Sequence, residues 1–507
     1  VPDLLVRGGR RLVPWLVVAL SVGIGLAIVR PFVDAPVGFD TQATVLYFDR
    51  VAAGTRLETA LSTTPKPFLT LVYGVLHALT GDWRPLVWAT ILAHATAAGL
   101  ATVLATRAVG LAAGLAAGLA VAGMPLLIED AAFGNAVPWA LAGWFGAGIA
   151  LSGPRPRPIV AGSLLGLAAL CRLESLVIVA TAGFAFAWVR VGPWPLHGQR
   201  PAVPARLWPA VAIPFLALPV MLVHDWLLTG DPLFWIEVSE RYSDAVRDSR
   251  TVLGPIERVT WFVRRYLGLW PAVALAAAGL VVLVRGRRWP ELVGLAGMGA
   301  GIGAFLVVLA ARGLYAPDRY AIPVDVALLL LAAVGFGRLA TLAADRIGRA
   351  AGVRAAVVGV AFALALGSVA AVRAGPFDPE LGRVVGDLRT LNENAARVVP
   401  ILQESADRRP AGTGFAWYVP AAVRPRLAVD LGRPLSEVGT LSLALLDPAG
   451  DAFRPGQRVY HDLHGDIPRG GYAVLETGDE VRLGEVVLRP VLDDAPRGIW
   501  LFDVIAP

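Results

Sequence analysis

Cysteine is almost missing from this chain: Cys171 stands alone among 507 residues, inside an apolar stretch, so no intrachain disulfide can form. Lysine is as rare. Of 45 basic residues 44 are arginine and one is Lys66, and with abundant Ala, Gly and Val this usage points to a GC-rich bacterial genome. Charge is thin as well. Asp, Glu, Lys and Arg make up 17% of the chain, against about 25% in soluble domains, which excludes an ordinary cytosolic enzyme. The six histidines (His77, His94, His197, His224, His461 and His464) form no metal-ligand array, and the one close pair, in YHDLHGD, reads as a solvated loop. No P-loop, no GxGxxG after a strand, no HExxH and no nucleophile elbow occurs. The pI is near 9.8, but the arginines form no basic stripe interleaved with aromatics, which excludes nucleic acid as a partner.

What the chain has is apolar surface, 56% hydrophobic with a mean hydropathy of +0.63. It is unevenly spread. Residues 1–375 hold 31 basic and 20 acidic residues, whereas residues 376–507 hold 14 arginines and 19 acids. The first block has membrane-like composition and the second soluble-like composition. The expectation is a polytopic α-helical membrane domain (1–375) followed by a small soluble α/β domain (376–507).

A membrane span takes roughly 20 mostly apolar residues. Leu12–Val29 is the first candidate; Arg7, Arg10 and Arg11 precede it and no small-residue cleavage site follows, so it reads as a signal anchor with a cytoplasmic N-terminus. Ten more follow: Leu86–Thr106, Leu111–Ile128, Val137–Ser152, Ile159–Leu170, Ser175–Val189, Leu207–Leu228, Trp261–Val284, Leu292–Ala311, Tyr320–Gly337 and Ala355–Val372. An odd number, about 11, puts the C-terminal domain outside. The connectors then placed in the cytoplasm carry Arg107, Arg155, Arg157, Arg190, Arg285, Arg287, Arg288 and Arg338, while the short outer ones hold Arg172, Arg312 and Arg319. Pro67–Thr80 is apolar but too short to span and reads as an interfacial helix. Two long outer loops, residues 30–84 and 229–260, are expected to carry function. In the first, Thr41–Ala53 reads as an amphipathic helix with Val45, Phe48 and Ala52 on its apolar face and Gln42, Asp49 and Arg56 off it. In the second, Leu233, Phe234, Trp235, Val238 and Tyr242 are placed to lie on the membrane surface.

With so few charges, each one informs. Asp34 and Asp40 follow the first span closely. Asp40 either caps the helix that starts near Thr41 or acts as a base on a hydroxyl brought to the interface. Lys66, held between Pro65 and Pro67, is either a snorkelling lysine or a point charge for a phosphate. Glu129 and Asp130 end the third span, either solvated or placed to orient a sugar or hold a metal. Arg172 and Glu174 form the hinge CRLES of a broken helical hairpin. Asp318, Arg319 and Tyr320 stand at the mouth of the tenth span, where an Arg fork suits a lipid phosphate and a membrane anchor is the plainer reading.

This order of features resembles the GT-C glycosyltransferases, which use polyprenyl-phosphate sugars, and within them the bacterial arabinofuranosyl- and mannosyltransferase-like branch. There the first loop reads as Asp-Asp, a Tyr/Arg-rich helix and then Thr-Asn-Pro-Leu; here it reads FDTQATVLYFDRVAAG and TTPKPFLTL, with Thr41 in place of the second Asp. The resemblance covers roughly residues 12–340. It implies Asp40 as general base, Glu129 or Asp130 as the second outer carboxylate, and Lys66 and Arg319 as cations at the donor phosphate. Tyr320, Arg172 and Glu174 are expected to line the substrate. The implied reaction is a single, inverting displacement without a required cofactor or metal. Its partners are a polyprenyl-phosphate sugar donor, membrane lipid and a glycan, glycolipid or protein acceptor at the outer face of a bacterial plasma membrane. A lipid-linked-saccharide transporter or flippase, or a glycan-binding assembly subunit, are the alternatives. In the C-terminal domain a helix is expected over Glu380–Glu404 and strands over Arg426–Asp430, Gly471–Leu475, Glu485–Leu492 and Ile499–Ile505. Trp417, Tyr418, Tyr460 and Tyr472 either line a glycan groove or pack a core.

Overall fold

The computed structural model describes residues 2–30, 37–57, 64–152, 155–191, 205–246, 254–314, 318–347, 379–406, 417–420, 423–433, 437–440, 457–462, 481–483, 486–494 and 499–506. Helix α1 (Pro2–Val29) leads to α2 (Phe39–Ala52) and α3 (Pro67–Thr80), which carry the first loop. There follow α4 (Arg84–Ala108), α5 (Leu111–Ala122), α6 (Pro125–Ala132), α7 (Val137–Leu151), α8 (Pro158–Cys171) and α9 (Glu174–Val191). A short α10 (Trp208–Ala212) runs through a 3-10 turn into α11 (Ala217–Thr229), and α12 (Phe234–Val246), α13 (Pro255–Leu267) and α14 (Trp270–Arg285) come next. Helix α15 (Trp289–Ala296) passes through a π-helical segment, Gly297–Gly301, into α16 (Ile302–Ala311). Helix α17 (Ile322–Ile347) completes this bundle.

Proline sets where many of these helices begin. It occupies the first turn of α3, α4, α6, α7, α8, α10, α13, α14 and α15, where its missing N–H costs no hydrogen bond and its φ already suits the helix. Small residues let the helices approach. Ala97, Ala101, Ala113, Ala117 and Ala140 are fully or almost fully buried in one cluster with Phe145, Val326 and Leu330. Helices α14 and α17 touch backbone to backbone: a Cβ on Gly279 would run into the Leu331 carbonyl, and one on Gly335 into that of Leu275.

Ten of the eleven expected spans fall on apolar helices of the described residues, and the eleventh, Ala355–Val372, lies outside them. Arg84–Ala108, Trp208–Thr229, Trp289–Ala311 and Arg319–Ala343 are each long and apolar enough to cross a membrane unaided. Two expectations of a straight span are corrected. Leu111–Ile128 is broken by a 52° bend between α5 and α6, where Pro125 has no N–H to continue the ladder. Trp261–Val284 is two helices at 92°, because Arg264 and Arg265 keep α13 out of the apolar layer and Gly268 and Pro271 let the chain turn. The face of α13 that carries Ile256, Val259, Val263 and Leu267 is exposed, as befits a helix lying along a membrane surface. The connectors rich in arginine meet at the opposite end of the bundle: Arg107 donates to the Ile149 carbonyl (3.0 Å) and Arg288 to that of Arg107 (3.4 Å).

The C-terminal residues form a six-stranded mixed sheet in the order β2-β1-β3-β6-β5-β4. Its strands are β1 (Trp417–Val419), β2 (Val438–Thr440), β3 (Arg458–Asp462), β4 (Val481–Leu483), β5 (Val486–Asp494) and β6 (Ile499–Ala506). Strand β1 runs parallel to β2 and β3, and the rest is antiparallel. Helix α18 (Pro379–Ala406) buries Leu391, Ala395, Val398 and Leu402 at helical spacing. The expected strand Arg426–Asp430 is instead the helix α19 (Arg424–Asp430): Pro425 starts it and the Arg426–Asp430 ion pair spans one turn (3.1 Å). Trp417, Tyr418 and Tyr460 are core residues, each at most 3% exposed, so they line no groove. His461 lies on β3, paired in register with Trp500, and not in a loop. Gly471–Leu475, Tyr472 and His464 lie outside the described residues. One apolar cluster joins this sheet to the first loop: Ala43, Leu46 and Tyr47 of α2 pack with Leu391, Trp417, Leu427 and Tyr460.

Candidate active site

The first loop folds back on the turn between α6 and α7. Gly38 N–H donates to the Phe133 carbonyl (2.8 Å), and the Thr41 hydroxyl reaches the Phe133 and Gly134 carbonyls (3.1 and 2.9 Å). From α3 the Tyr73 hydroxyl donates to the Gly134 carbonyl (2.8 Å), lies 2.6 Å from Thr90 Oγ1 of α4, and accepts the Trp139 indole N–H (2.9 Å). A buried polar network of this kind holds only when its members are satisfied. Thr41, which stands where the family pattern has a second Asp, thus ties the start of α2 to the neighbouring turn. Gln42, expected on the polar face, is buried for a similar reason: it donates to Val37 O (2.8 Å) and accepts from Arg426 N–H of α19 (3.3 Å).

Asp40 sits in the first turn of α2, and the N-cap position belongs to Gly38. Its carboxylate does not cap. Oδ2 receives Lys66 Nζ at 3.4 Å and Arg319 Nη2 at 3.1 Å, so residues 26 and 279 positions away converge on one oxygen. Lys66 is the N-cap residue of α3, immediately before Pro67, and only 7% exposed. Arg319 lies in the 3-10 turn Asp318–Ala321 that leads into α17; its side chain is 40% exposed. Burial opposes the charge on Asp40, but Lys66 and Arg319 outweigh it and hold the carboxyl below the ordinary aspartate range. Burial also pushes the Lys66 ammonium below the ordinary lysine value; Asp40 resists, and the Arg319 and Arg172 guanidiniums add to the fall.

Arg172 and Glu174 flank the break between α8 and α9. The guanidinium forks onto the carboxylate (2.7 and 3.4 Å) and lies over the Tyr320 ring, 5.2 Å from its centre. Both members of the pair are about nine-tenths buried, and the fork leaves Arg172 little freedom. Asp130 of α6 is within electrostatic reach of Arg172, Arg319 and Asp40. Its Oδ1 accepts from Asn135 Nδ2 (2.8 Å), whereas Oδ2 is buried with no hydrogen-bond partner among the described residues.

Five separate segments therefore bring together Asp40, Lys66, Asp130, Arg172, Glu174, Arg319 and Tyr320. Of the adjacent carboxylates Asp130 is buried within electrostatic reach of this cluster, and Glu129, about 100° round the helix, is half-buried. Asp34 and the side chain of Asp318 lie outside the described residues. Asn135, Thr41 and Tyr73 were not foreseen, because their partners are backbone groups or residues of other segments that no local spacing announces. The same holds for His224 and Asp225 at the end of α11. His224 Nε2 lies 3.3 Å from Thr70 Oγ1, and its Nδ1 lies 3.2 Å from Asp225 Oδ1; Asp225 Oδ2 accepts from Trp235 N–H (3.2 Å). This relay ties the second loop to the turn that follows Lys66. Among the described residues no three His, Cys, Asp or Glu side chains gather as metal ligands would.

The fold is that of the GT-C glycosyltransferases, polytopic membrane proteins. ArnT from Cupriavidus metallidurans, solved bound to undecaprenyl phosphate, matches over 96% of this chain and 97% of its own at 16% identity, with a TM-score of 0.51. Its apo state matches over the same shares at 15% identity and the same score. The Archaeoglobus fulgidus oligosaccharyltransferase tethered to an acceptor peptide matches over 85% of this chain at 13% identity, also with a TM-score of 0.51; this chain spans 64% of that one. No family profile and no curated protein sequence matches the chain.

Proposed function

We propose that this chain is a glycosyltransferase that moves a sugar from a polyprenyl-phosphate donor to a hydroxyl of a glycan, glycolipid or protein. The reading places the reaction at the outer face of a bacterial plasma membrane, the side to which the positive-inside distribution assigns the loops that carry Asp40, Lys66 and Arg319. One observation carries it: a partly buried carboxylate between two cations, at one end of a GT-C bundle. ArnT, of the same fold, was solved with undecaprenyl phosphate.

The chemistry follows from the charges. The acceptor oxygen attacks the anomeric carbon and forms the new glycosidic bond. The bond from that carbon to the phosphate oxygen breaks, and its electron pair leaves with the phosphate. The acceptor proton passes to Asp40, while Lys66 and Arg319 hold the departing phosphate. Arg172, anchored by Glu174 and Tyr320, keeps further positive charge close by. Lys66 and Arg319 supply at the leaving group the charge that a metal supplies elsewhere, so the proposed step requires no cofactor.

The test is transfer by purified protein from a panel of labelled polyprenyl-phosphate sugars to a membrane glycan extract. Wild type transfers from at least one donor, and Asp40→Asn, folded, loses about 100-fold or more of that rate. Transfer at an undiminished rate by Asp40→Asn would remove Asp40 from the role of base and leave Glu129 or Asp130 in its place. Absence of transfer from every donor would overturn the enzyme reading.

A further inference from the structure

The two cations that the proposed reaction needs at the phosphate are already taken. Lys66 and Arg319 both bind the same oxygen of Asp40, and a carboxylate oxygen neutralised twice over is a poor base. The donor phosphodiester shares its charge over two non-bridging oxygens and can take one cation on each. The hardware also allows an exchange. Lys66 is held by prolines on both sides, whereas the Arg319 side chain is 40% exposed and free to turn about the bonds of its stem.

Resting on the transferase reading above, we infer that Asp40 is a built-in substitute for the donor phosphate, neutralising Lys66 and Arg319 until a polyprenyl phosphate displaces it. Displacement is what frees the base. The donor therefore binds before the acceptor hydroxyl can be activated, and water or a stray hydroxyl meets no active base in the absence of donor.

The charges stay in balance through the step. With donor bound, Asp40 and the phosphodiester carry one negative charge each against Lys66 and Arg319. After transfer Asp40 holds the acceptor proton and is neutral, and the released phosphate monoester carries the second negative charge (its second ionisation lies near pH 6). Two negative charges face the same two cations before and after transfer, whereas the free site, with Asp40 alone, holds one positive charge in excess, which favours the incoming phosphate.

The experiment is binding of undecaprenyl phosphate to the full-length protein in detergent, for wild type, Asp40→Asn and Asp40→Ser. Removing the internal anion tightens binding of this lipid by about tenfold or more in both variants, although neither transfers sugar. The neutral variants also lose stability, since two cations are left without their anion, and undecaprenyl phosphate restores it: their unfolding temperature rises with lipid more than that of wild type. Unchanged or weaker binding in the variants, or no greater thermal rescue, overturns the exchange while leaving the transferase reading in place. Failure of wild type to bind undecaprenyl phosphate at all overturns both.

Discussion

At the scale of single residues the site works through charges that burial makes strong. In the proposed reaction Lys66 is the plainest case, since its ammonium would have to stay protonated to hold a phosphate while burial pushes its pKa below the ordinary lysine value. Activity then falls as pH rises through that lowered pKa, earlier than an ordinary lysine would lose its proton. Arginine stays charged well beyond it, so Lys66→Arg, if it still transfers, shifts the alkaline limb of the rate profile upward. A limb that stays where it is in Lys66→Arg would mean another group sets it. The acid limb carries the opposite sign. In the free enzyme Asp40 ionises below the ordinary aspartate range, and in the donor complex, its cations turned to the phosphate, it ionises higher. The acid limb of kcat therefore lies above that of kcat/KM for the donor; coincident limbs would show that the cations never leave Asp40. Lys66 and Asp40 were legible in the chain because charge is scarce around them. Thr41 was not, since a polar residue gives no sign of which distant carbonyl it will meet, and Asn135 was not, since nothing in the chain marks its amide as the partner of Asp130 five residues before it.

Helices and the turns between them set the distances. Arg172 and Glu174 lie two positions apart in one hinge, and their ion pair closes the gap between α8 and α9 with both side chains about nine-tenths buried. Arg172→Ala leaves the Glu174 carboxylate buried without its cation, which costs about 3–5 kcal/mol; a thermal unfolding curve unchanged from wild type would refute that. The contact of α14 with α17 depends on glycine in the same measurable way. Gly335→Ala drives a methyl group into the Leu275 carbonyl and lowers stability, whereas nothing stands within 4 Å of a Cβ on Gly303, where the same exchange is tolerated or stabilises by about 0.4–1 kcal/mol. Equal unfolding temperatures for the two variants would contradict the close packing. Helix positions were readable from apolar runs bounded by proline. The bends were harder, since Pro125 and the Gly268–Pro271 stretch sit inside runs whose hydropathy alone reads as one straight span.

The whole molecule shows why the C-terminal region belongs to the site's surroundings. Leu427 of α19 is fully buried in the cluster that also contains Ala43, Leu46 and Tyr47 of α2, and Arg50 of α2 donates to the Arg433 carbonyl (2.8 Å). We propose that this region is a separate extracytoplasmic domain that braces the first loop from above. Leu427→Ala removes buried contact worth about 2–5 kcal/mol and loosens α2, seen as faster amide hydrogen exchange along Phe39–Ala52. Exchange in α2 that does not change would show that the bundle alone holds Asp40 in place.

The chain by itself determined the broad plan. Apolar length, scarce charge and arginine placed between runs follow from the cost of burying charge in lipid, and that cost acts locally, so it can be read residue by residue. The expected helices Thr41–Ala53, Pro67–Thr80 and Glu380–Glu404 all exist within a residue or two. Only the tertiary structure decided which charges meet. That Asp40 gives one oxygen to both Lys66 and Arg319, that Asp130 is buried within reach of Arg172 and Arg319, and that Trp417 and Tyr460 fill a core depends on packing among segments tens to hundreds of residues apart. Such meetings are set by the three-dimensional approach of whole helices and leave no period or spacing in the chain.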